Sequence, residues 1–464
     1  MKKFILFFFC IIVISGGVFL FYMNNKETKK EKKKPEEKKQ TSEELDKYKS
    51  IDALFIKNEN NMMQILYQNR YYSLSIDNSI NKELTYGDYI NIKYDKEFDF
   101  NQEKQNIIVE DVTDGNKDNY KESLIDQGIF KEQIDKAYDK LKNMSIDEKI
   151  GQLLLVRVPD IKAKETVKKY QFGGYILFGR DVVDKTKEDI KNSIKGWNEV
   201  SNIPLLIASD EEGGIVTRVS KNNQLTPNRF LSSQALYKKG KFKAIREDNI
   251  EKNKLLYSLG INLNLAPVAD VSTDPNDYIY SRSFGQNAKA TGEFIKNILE
   301  SSKGTNVSNT LKHFPGYGNN KDTHTGISID KRTIEEFRKN DFIPFKIGIE
   351  NKAESILVSH NIIENIENNI PASLSLNIHK LLRNELKFDG IIMTDDLEMD
   401  AINKYVKNST LEALKSGNDL IMVSDYETSY KEIKNALDNK EISESLIDKA
   451  VIRTIAWKIY KNLI

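Results

Sequence analysis

The chain has 464 residues, 39% hydrophobic and 30% charged, with a net charge of +1; this is a globular mixture, long enough for one large domain plus smaller pieces. Residues 1–40 hold ten Lys and four Glu, a local +6, which leaves a mildly acidic −5 on the remainder and no basis for a nucleic-acid partner. Cys10 is the single cysteine and the four histidines are scattered, so no disulfide and no metal-ligand spacing is present, and neither metal nor cofactor is expected.

Lys2 and Lys3 precede an apolar run of twenty residues, Phe4 to Met23. A bilayer-spanning helix needs about 20 such residues. The run exceeds the h-region of a cleaved leader and lacks an A-x-A-like site. Residues 1–23 therefore read as a signal anchor, a transmembrane helix, with Ser15-Gly16-Gly17 as the feature that leaves room for cleavage. "KETKKEKKKPEEKKQ" (26–40) belongs in the cytoplasm by a plain count of positive charge. Its interspersed Glu, and the anchor's place at the very start, favour export of the long C-terminal part. Residues 24–48 read as a solvated, charged linker. The expected location is the cell membrane with the main body extracellular, or secreted if the N-terminus is cleaved.

Residues 49–115 hold short runs rich in β-branched and aromatic residues: "ALFIK" (53–57), "MMQILY" (62–67), "RYYSLSI" (70–76), "DYINIKY" (88–94) and "NIIVEDV" (106–112). Asn, Asp and Gly turns separate them. Five strands without helices predict a small all-β module, an OB- or SH3-like barrel. It would bind wall polymer or a partner, or serve only as a spacer.

Residues 125–464 alternate short apolar runs with helical patterns. The runs are "QLLLVRV" (152–158), "GGYILF" (173–178), "PLLIAS" (204–209), "NLNLAP" (262–267), "SNTLKH" (308–313), "SILVSH" (355–360), "GIIMT" (390–394) and "DLIMVS" (419–424). Continuous apolar runs fit parallel strands buried on both faces. Segments between them read as helices, among them "TIEEFRKNDFIPFKIGIE" (333–350). Eight such units predict an α/β fold, a TIM (β/α)8 barrel. The alternative, a doubly wound sheet, usually carries GxGxxG after its first strand, and none is present.

A barrel places functional residues just past its strand C-termini. Polar residues stand there after several strands: Asp210-Glu211-Glu212, Lys312-His313, His360, Asp395-Asp396 and Asp425. Asp425 reads equally well as a helix N-cap. Lys312-His313 does not, because a cation is disfavoured at a helix N-terminus. Strand alternation sends one of Asp395 and Asp396 toward the barrel axis and the other away. An inward carboxylate there suits nucleophilic attack on a sugar carbon, which a retaining glycosidase pairs with an acid/base group. In "NNKDTHTG" (319–326) a turn can fold Asp322 onto His324, fixing the ring for proton transfer.

Four motifs together resemble glycoside hydrolase family 3, specifically its β-N-acetylglucosaminidases: "DEEGGIVTR" (210–218), "NLNLAPVADV" (262–271) leading to "SRSFG" (281–285), "KHFPGYG" (312–318) with "DTH" (322–324), and "IIMTDDLEM" (391–399). The resemblance covers roughly 130–464. It implies that Asp395 is the nucleophile, His324 the acid/base and Asp322 its dyad partner. It implies that Asp210, Arg218, Arg282, Lys312 and His313 hold the sugar hydroxyls, a task for charge-assisted bonds. Many family members take their acid/base from a further C-terminal domain. Here the sequence runs out with the last barrel helix, so the loop histidine is the expected candidate. Departures are Tyr317 for a usual His, Glu211 for Gln, Ile215 for Arg, and Thr323 for Ser between the dyad residues. His360 is expected to line the mouth or to be structural, and His379 to lie on a helix surface.

The expectation is an exported, membrane-anchored retaining β-N-acetylglucosaminidase trimming N-acetylglucosamine from peptidoglycan fragments. Alternatives are a phosphorylase using the same site and an inactive wall-binding protein.

Overall fold

The computed structural model describes residues 48–76, 80, 82–95, 107–120, 128–320, 322–323 and 326–464. The apolar run expected as an anchor lies outside the described residues, as does nearly all of the charged linker. Among the described residues, no helix is long and apolar enough to cross a membrane.

The first five strands are β1 (Tyr48–Glu59), β2 (Met62–Tyr67), β3 (Arg70–Ile76), β4 (Tyr89–Asp95) and β5 (Ile108–Asp114). Two tight hairpins join the first three. Asn60 and Asn61 turn at φ 52° and 61°, Gln68 and Asn69 at 44° and 59°. Positive φ at both central residues gives a turn whose twist matches that of the flanking strands, and Asn tolerates it best after Gly. The strands close into a barrel in the order β1-β2-β3-β5-β4, with β3 and β5 parallel. That order is the OB arrangement rather than the SH3 one. Phe55 donates to Asp88 O at 2.8 Å and Gly87 to Phe55 O at 2.7 Å, closing β4 on β1. Strand alternation then divides two cores. Ala53, Phe55, Met63, Ile65, Ile90 and Ile92 fill the small barrel. Leu54, Ile56, Leu66, Tyr71 and Tyr89 point the other way, into the core of the large one.

The remaining strands are β6 (Leu154–Arg157), β7 (Gly174–Leu177), β8 (Leu206–Ser209), β9 (Leu263–Asn264), β10 (Ser308–Phe314), β11 (Ile329–Asp330), β12 (Ser355–Val358), β13 (Ile362–Ile363), β14 (Ile391–Thr394) and β15 (Ile421–Val423). Eight form one parallel sheet, β6-β7-β8-β9-β10-β12-β14 with β15 on the free side of β6. A parallel bridge from Met393 to Leu420 all but closes the ring. Each expected barrel run overlaps one of these strands. They are buried on both faces, and most are apolar without alternation; β10, with the sequence SNTLKHF, is buried throughout yet mostly polar. β11 and β13 pair outside the ring.

The segment 333–350 is two helices, Ile334–Lys339 and Phe342–Glu350, not one. Asn340 leaves helical geometry at φ −131°. Asp341 beside it is buried and accepts from Arg332 Nη1 at 2.7 Å. His379 is fully buried in the helix Leu376–Lys380, which corrects the surface expectation. Burial pushes its imidazole down to about 4.

Candidate active site

The C-terminal ends of the barrel strands open into a cleft of ≈ 750 Å³. Asp210, Arg218, Arg282, Lys312, His313, Asp322 and Asp395 all line it. His324 lies outside the described residues.

β8 delivers the first group. The chain leaves it at Asp210 and turns through Gly213 at φ 102° and Gly214 at φ 67°. A Cβ on Gly213 would sit 2.2 Å from Leu231 O, so only glycine fits. Glu211 is fully buried and faces away from the cleft. It accepts from the backbone N–H of Arg218 at 2.9 Å and of Val219 at 2.7 Å, and from the Ser220 hydroxyl. It thus folds back the loop that carries Arg218. An acceptor-only carboxylate satisfies these donors, which explains why the departure from Gln is tolerated.

A chain of alternating charges crosses the floor. Lys312 on β10 donates to Asp210 Oδ1 and meets Glu212 Oε1, both at 2.8 Å. Arg282 clasps Glu212 through Nη2 at 2.7 Å and Nε at 3.1 Å. Its Nη2 also meets His313 Nε2 at 3.1 Å. His313 Nδ1 lies 2.7 Å from Asp270 Oδ2, and Asp270 Oδ1 takes the Tyr317 N–H at 2.7 Å. Nδ1–H donating to Asp270 leaves the Nε2 lone pair for Arg282, so two fixed partners hold the ring. Burial by itself would raise the Glu212 carboxyl. Lys312 and Arg282 outweigh it and hold the group far below the usual carboxylate range. Burial likewise opposes the charge on Lys312, but Asp210 and Glu212 raise its ammonium above the ordinary value. Arg218 Nη2 stands 3.6 Å from Asp210 Oδ2. These donors are therefore charged and held in fixed orientation along one wall of the cleft.

Asp395 follows β14. Its Oδ1 accepts from Asp396 N–H at 2.9 Å. Both carboxylates border the cleft, contrary to the simple alternation expected of a strand, because the chain has left β14 and turns there. Burial, then the neighbouring Asp395 charge, push the Asp396 carboxyl up to about 6. Ser424 Oγ donates to Asp396 Oδ2 at 3.1 Å. His360 is fully buried, with Nε2 at 2.9 Å from Asp396 O and Nδ1 at 2.7 Å from Ser373 Oγ. It is a structural group that holds the Asp395-Asp396 turn from behind. Asp425 caps the helix Tyr426–Asp438, accepting from Thr428 N–H at 3.1 Å.

Asp322 is tied to the Tyr278 hydroxyl, which also accepts from Arg282 Nη1 at 3.3 Å. Burial first, then the Asp322 charge, push the Tyr278 phenol up to about 12, so it remains a donor to the carboxylate. Tyr317 OH and Thr323 Oγ1 are 2.6 Å apart, both side chains buried.

Glu212, Asp270 and Tyr278 are site residues that the sequence reading left without roles. Glu212 and Asp270 stood inside two of the quoted motifs, each an acid just past an apolar run. That was the available signal.

The family described as "Glycosyl hydrolase family 3 N terminal domain" matches residues 145–456, and the chain belongs to this family. Beta-hexosaminidase A of Pseudoalteromonas piscicida is 27% identical over 325 residues, 63% of this chain and 54% of that protein. Beta-hexosaminidase LpqI of Mycobacterium tuberculosis is 28% identical over 331 residues, 68% of this chain and 83% of that one. The solved glycoside hydrolase family 3 β-N-acetylglucosaminidase from Paenibacillus sp. str. FPU-7 superposes with a TM-score of 0.65 at 29% identity, over 69% of this chain and 63% of that one. The match thus spans about half the length of the first relative and most of the second.

Proposed function

We propose that the protein is a retaining β-N-acetylglucosaminidase, exported and held at the membrane by residues 4–23, that removes terminal N-acetylglucosamine from peptidoglycan fragments. The observation that carries this reading is the juxtaposition in one cleft of Asp395, Asp322 and the charged chain from Asp210 to Asp270. The names of the relatives support the same chemistry and the N-acetyl sugar.

In the first step Asp395 attacks the anomeric carbon and forms a glycosyl ester, while His324 gives its proton to the departing glycosidic oxygen. In the second, His324 takes a proton from water, whose oxygen displaces Asp395 and restores the anomeric configuration. Asp322, held by Tyr278, orients the ring and favours its protonated form before the first step and after the second. Asp210, Arg218, Arg282 and Lys312 hold the sugar hydroxyls throughout, and His313, with both ring nitrogens engaged by Asp270 and Arg282, fixes Arg282 in place. Asp396, with its proton retained up to about pH 6, adds less negative charge beside the nucleophile than a second ordinary carboxylate would.

The test compares release of nitrophenol from the β-N-acetylglucosaminide and the β-glucoside by the full chain, Asp395→Asn and His324→Ala. Turnover of the N-acetyl substrate alone is expected. His324→Ala should lower it by about 10²- to 10⁴-fold, and Asp395→Asn should abolish it. The product separates hydrolysis from phosphorolysis: free N-acetylglucosamine in phosphate buffer supports the proposal, the 1-phosphate overturns it. Equal turnover of the β-glucoside would remove the N-acetyl assignment.

A further inference from the structure

Two tyrosines hold neighbouring residues of the dyad loop. Tyr317 meets Thr323 through its hydroxyl at 2.6 Å, and Tyr278 meets Asp322 through its own. Their ring centres are 5.8 Å apart, and both pack with Val268 and the fully buried Ile279. The chain around Tyr278 is pinned on either side. Ser272 Oγ donates to Asp277 Oδ2 at 2.7 Å, and Gln234 Nε2 donates to Tyr280 O at 2.7 Å. Between these ties, Asp277 N–H closes a turn on Asp274 O at 3.0 Å and Tyr280 N–H one on Asp277 O at 3.1 Å. The phenol is thus presented to the cleft from a fixed base.

Its hydroxyl stands between two opposite charges. Arg282 Nη1 donates to it at 3.3 Å, and it gives its single proton to the Asp322 carboxylate. A donor that itself accepts from a cation is strengthened by that bond. Arg282 in turn clasps Glu212, and Glu212 meets Lys312. The phenol therefore joins the charged chain on the cleft floor to the loop of the acid/base dyad. A group that serves proton transfer must be in place before the proton moves, and a misplacement of about 1 Å costs about 10²-fold in rate. We propose that Tyr278 is a positioning residue for acid/base catalysis. Its hydroxyl sets the Asp322 carboxylate for His324, and the bond from Arg282 ties that setting to the residues that grip the sugar. This rests on the glycosidase reading above and adds to it a residue that stands outside the quoted motifs.

The test uses the full chain and two N-acetylglucosaminides that differ in their need for a proton. The methyl glycoside releases an alkoxide that must be protonated; the dinitrophenyl glycoside releases a phenolate that need not be. The readout is kcat/KM on each. Tyr278→Phe keeps the ring and removes the hydroxyl. It should lower kcat/KM on the methyl glycoside by about 10- to 100-fold, the worth of a hydrogen bond to a charged group, and on the dinitrophenyl glycoside by less than about 3-fold. In an Asp322→Asn background the same substitution should have little further effect, because both changes act on one interaction. Equal loss on the two glycosides overturns the proposal and leaves Tyr278 as a support for Arg282 in sugar binding; a poorly folded variant would give the same equal loss, so retained dinitrophenyl turnover is what the proposal requires. Full additivity with Asp322→Asn overturns it as well, since Tyr278 would then act elsewhere than on the dyad. Wild-type turnover matched by Tyr278→Phe on both glycosides sinks the positioning role alone, whereas no wild-type turnover of any N-acetylglucosaminide sinks the glycosidase reading and the positioning role together.

Discussion

Tyr317 ties together two parts of the site that lie on different segments. Its backbone N–H ends on Asp270, the same carboxylate that orients His313. Its hydroxyl ends on Thr323, between the two dyad positions. Tyr317→Phe removes only that last bond. A neutral hydrogen bond is worth about 0.5–1.5 kcal/mol, so kcat on the nitrophenyl substrate should fall about 2- to 10-fold with KM little changed. A change confined to KM would show that Tyr317 serves sugar binding instead. Glu212 gives a stability prediction. Its carboxyl is depressed in the fold, so it contributes stability that is present above the ordinary carboxylate range and lost as pH falls through and below it. Glu212→Gln should cost about 3 kcal/mol at pH 7, because it leaves Lys312 and Arg282 without their shared anion. Urea titrations should show the difference shrinking below about pH 4. The residues read from sequence were those that break an apolar pattern: Asp210, Lys312 and Asp395 each interrupt a strand end. Glu212 and Asp270 break the same pattern, yet the Lys312 partner of Glu212 lies 100 residues (312 − 212) away, and a pairing set only by the closed ring leaves no local trace.

At the scale of elements, what was legible was burial. Strands packed on both faces are mostly apolar, and so most barrel strands appeared in the sequence as apolar runs; β10, buried throughout but rich in Ser, Asn, Thr, Lys and His, is the exception. Helix ends were less visible, and the break at Asn340 comes from Asp341 reaching inward to Arg332. His379 was misread because a polar residue in a helical pattern gives no sign that another segment covers it. Here Gly417, bordered by both His379 and the Tyr71 hydroxyl of the small barrel, does so. The helix Glu444–Tyr460 carries a comparable surprise. Lys458 is fully buried, with Gln152 Oε1 at 2.8 Å as its partner. Burial pushes its ammonium down to about 7. The folded-state value lies below the unfolded one, so between about pH 7 and 10.4 the unfolded chain binds a proton that the folded chain does not. Stability therefore rises with pH across that window, and the penalty is full at and below its lower edge. Lys458→Met should raise the Tm at pH 7, and the gain should fade toward pH 10. A gain independent of pH would mean that Lys458 is not charged in the unfolded reference as assumed, or is not neutral in the fold.

On the scale of the molecule, the small barrel is built into the large one. Arg70 Nη1 donates to Asp389 Oδ1 at 2.5 Å, and Asn384 accepts from Tyr71 N at 3.0 Å while donating to Tyr71 O at 2.7 Å. Lys380 reaches Gln64 at 2.7 Å, and Tyr86 OH donates to Lys415 O at 2.5 Å. These partners stand just before β14 and β15, at the strand N-termini, so the module seals the face of the barrel away from the cleft. OB folds use the β2–β3 face and its loops to hold ligands. Here Gln64, Asn69, Arg70 and Tyr71 spend that face on the catalytic barrel, which weighs against the module as an independent wall-binding unit. The outward face of the small barrel also joins the core of the large one: Leu54, Leu66, Tyr71 and Tyr89 pack in one cluster with Trp457 and the barrel strands. A shared core predicts a shared transition. Tyr71→Ala should cost about 3 kcal/mol or more, as for other large aromatic truncations, and calorimetry should show one cooperative peak moved to lower temperature. A separate low-temperature peak, with the catalytic transition left in place, would mean that the module folds on its own and that the interface contributes little to the barrel.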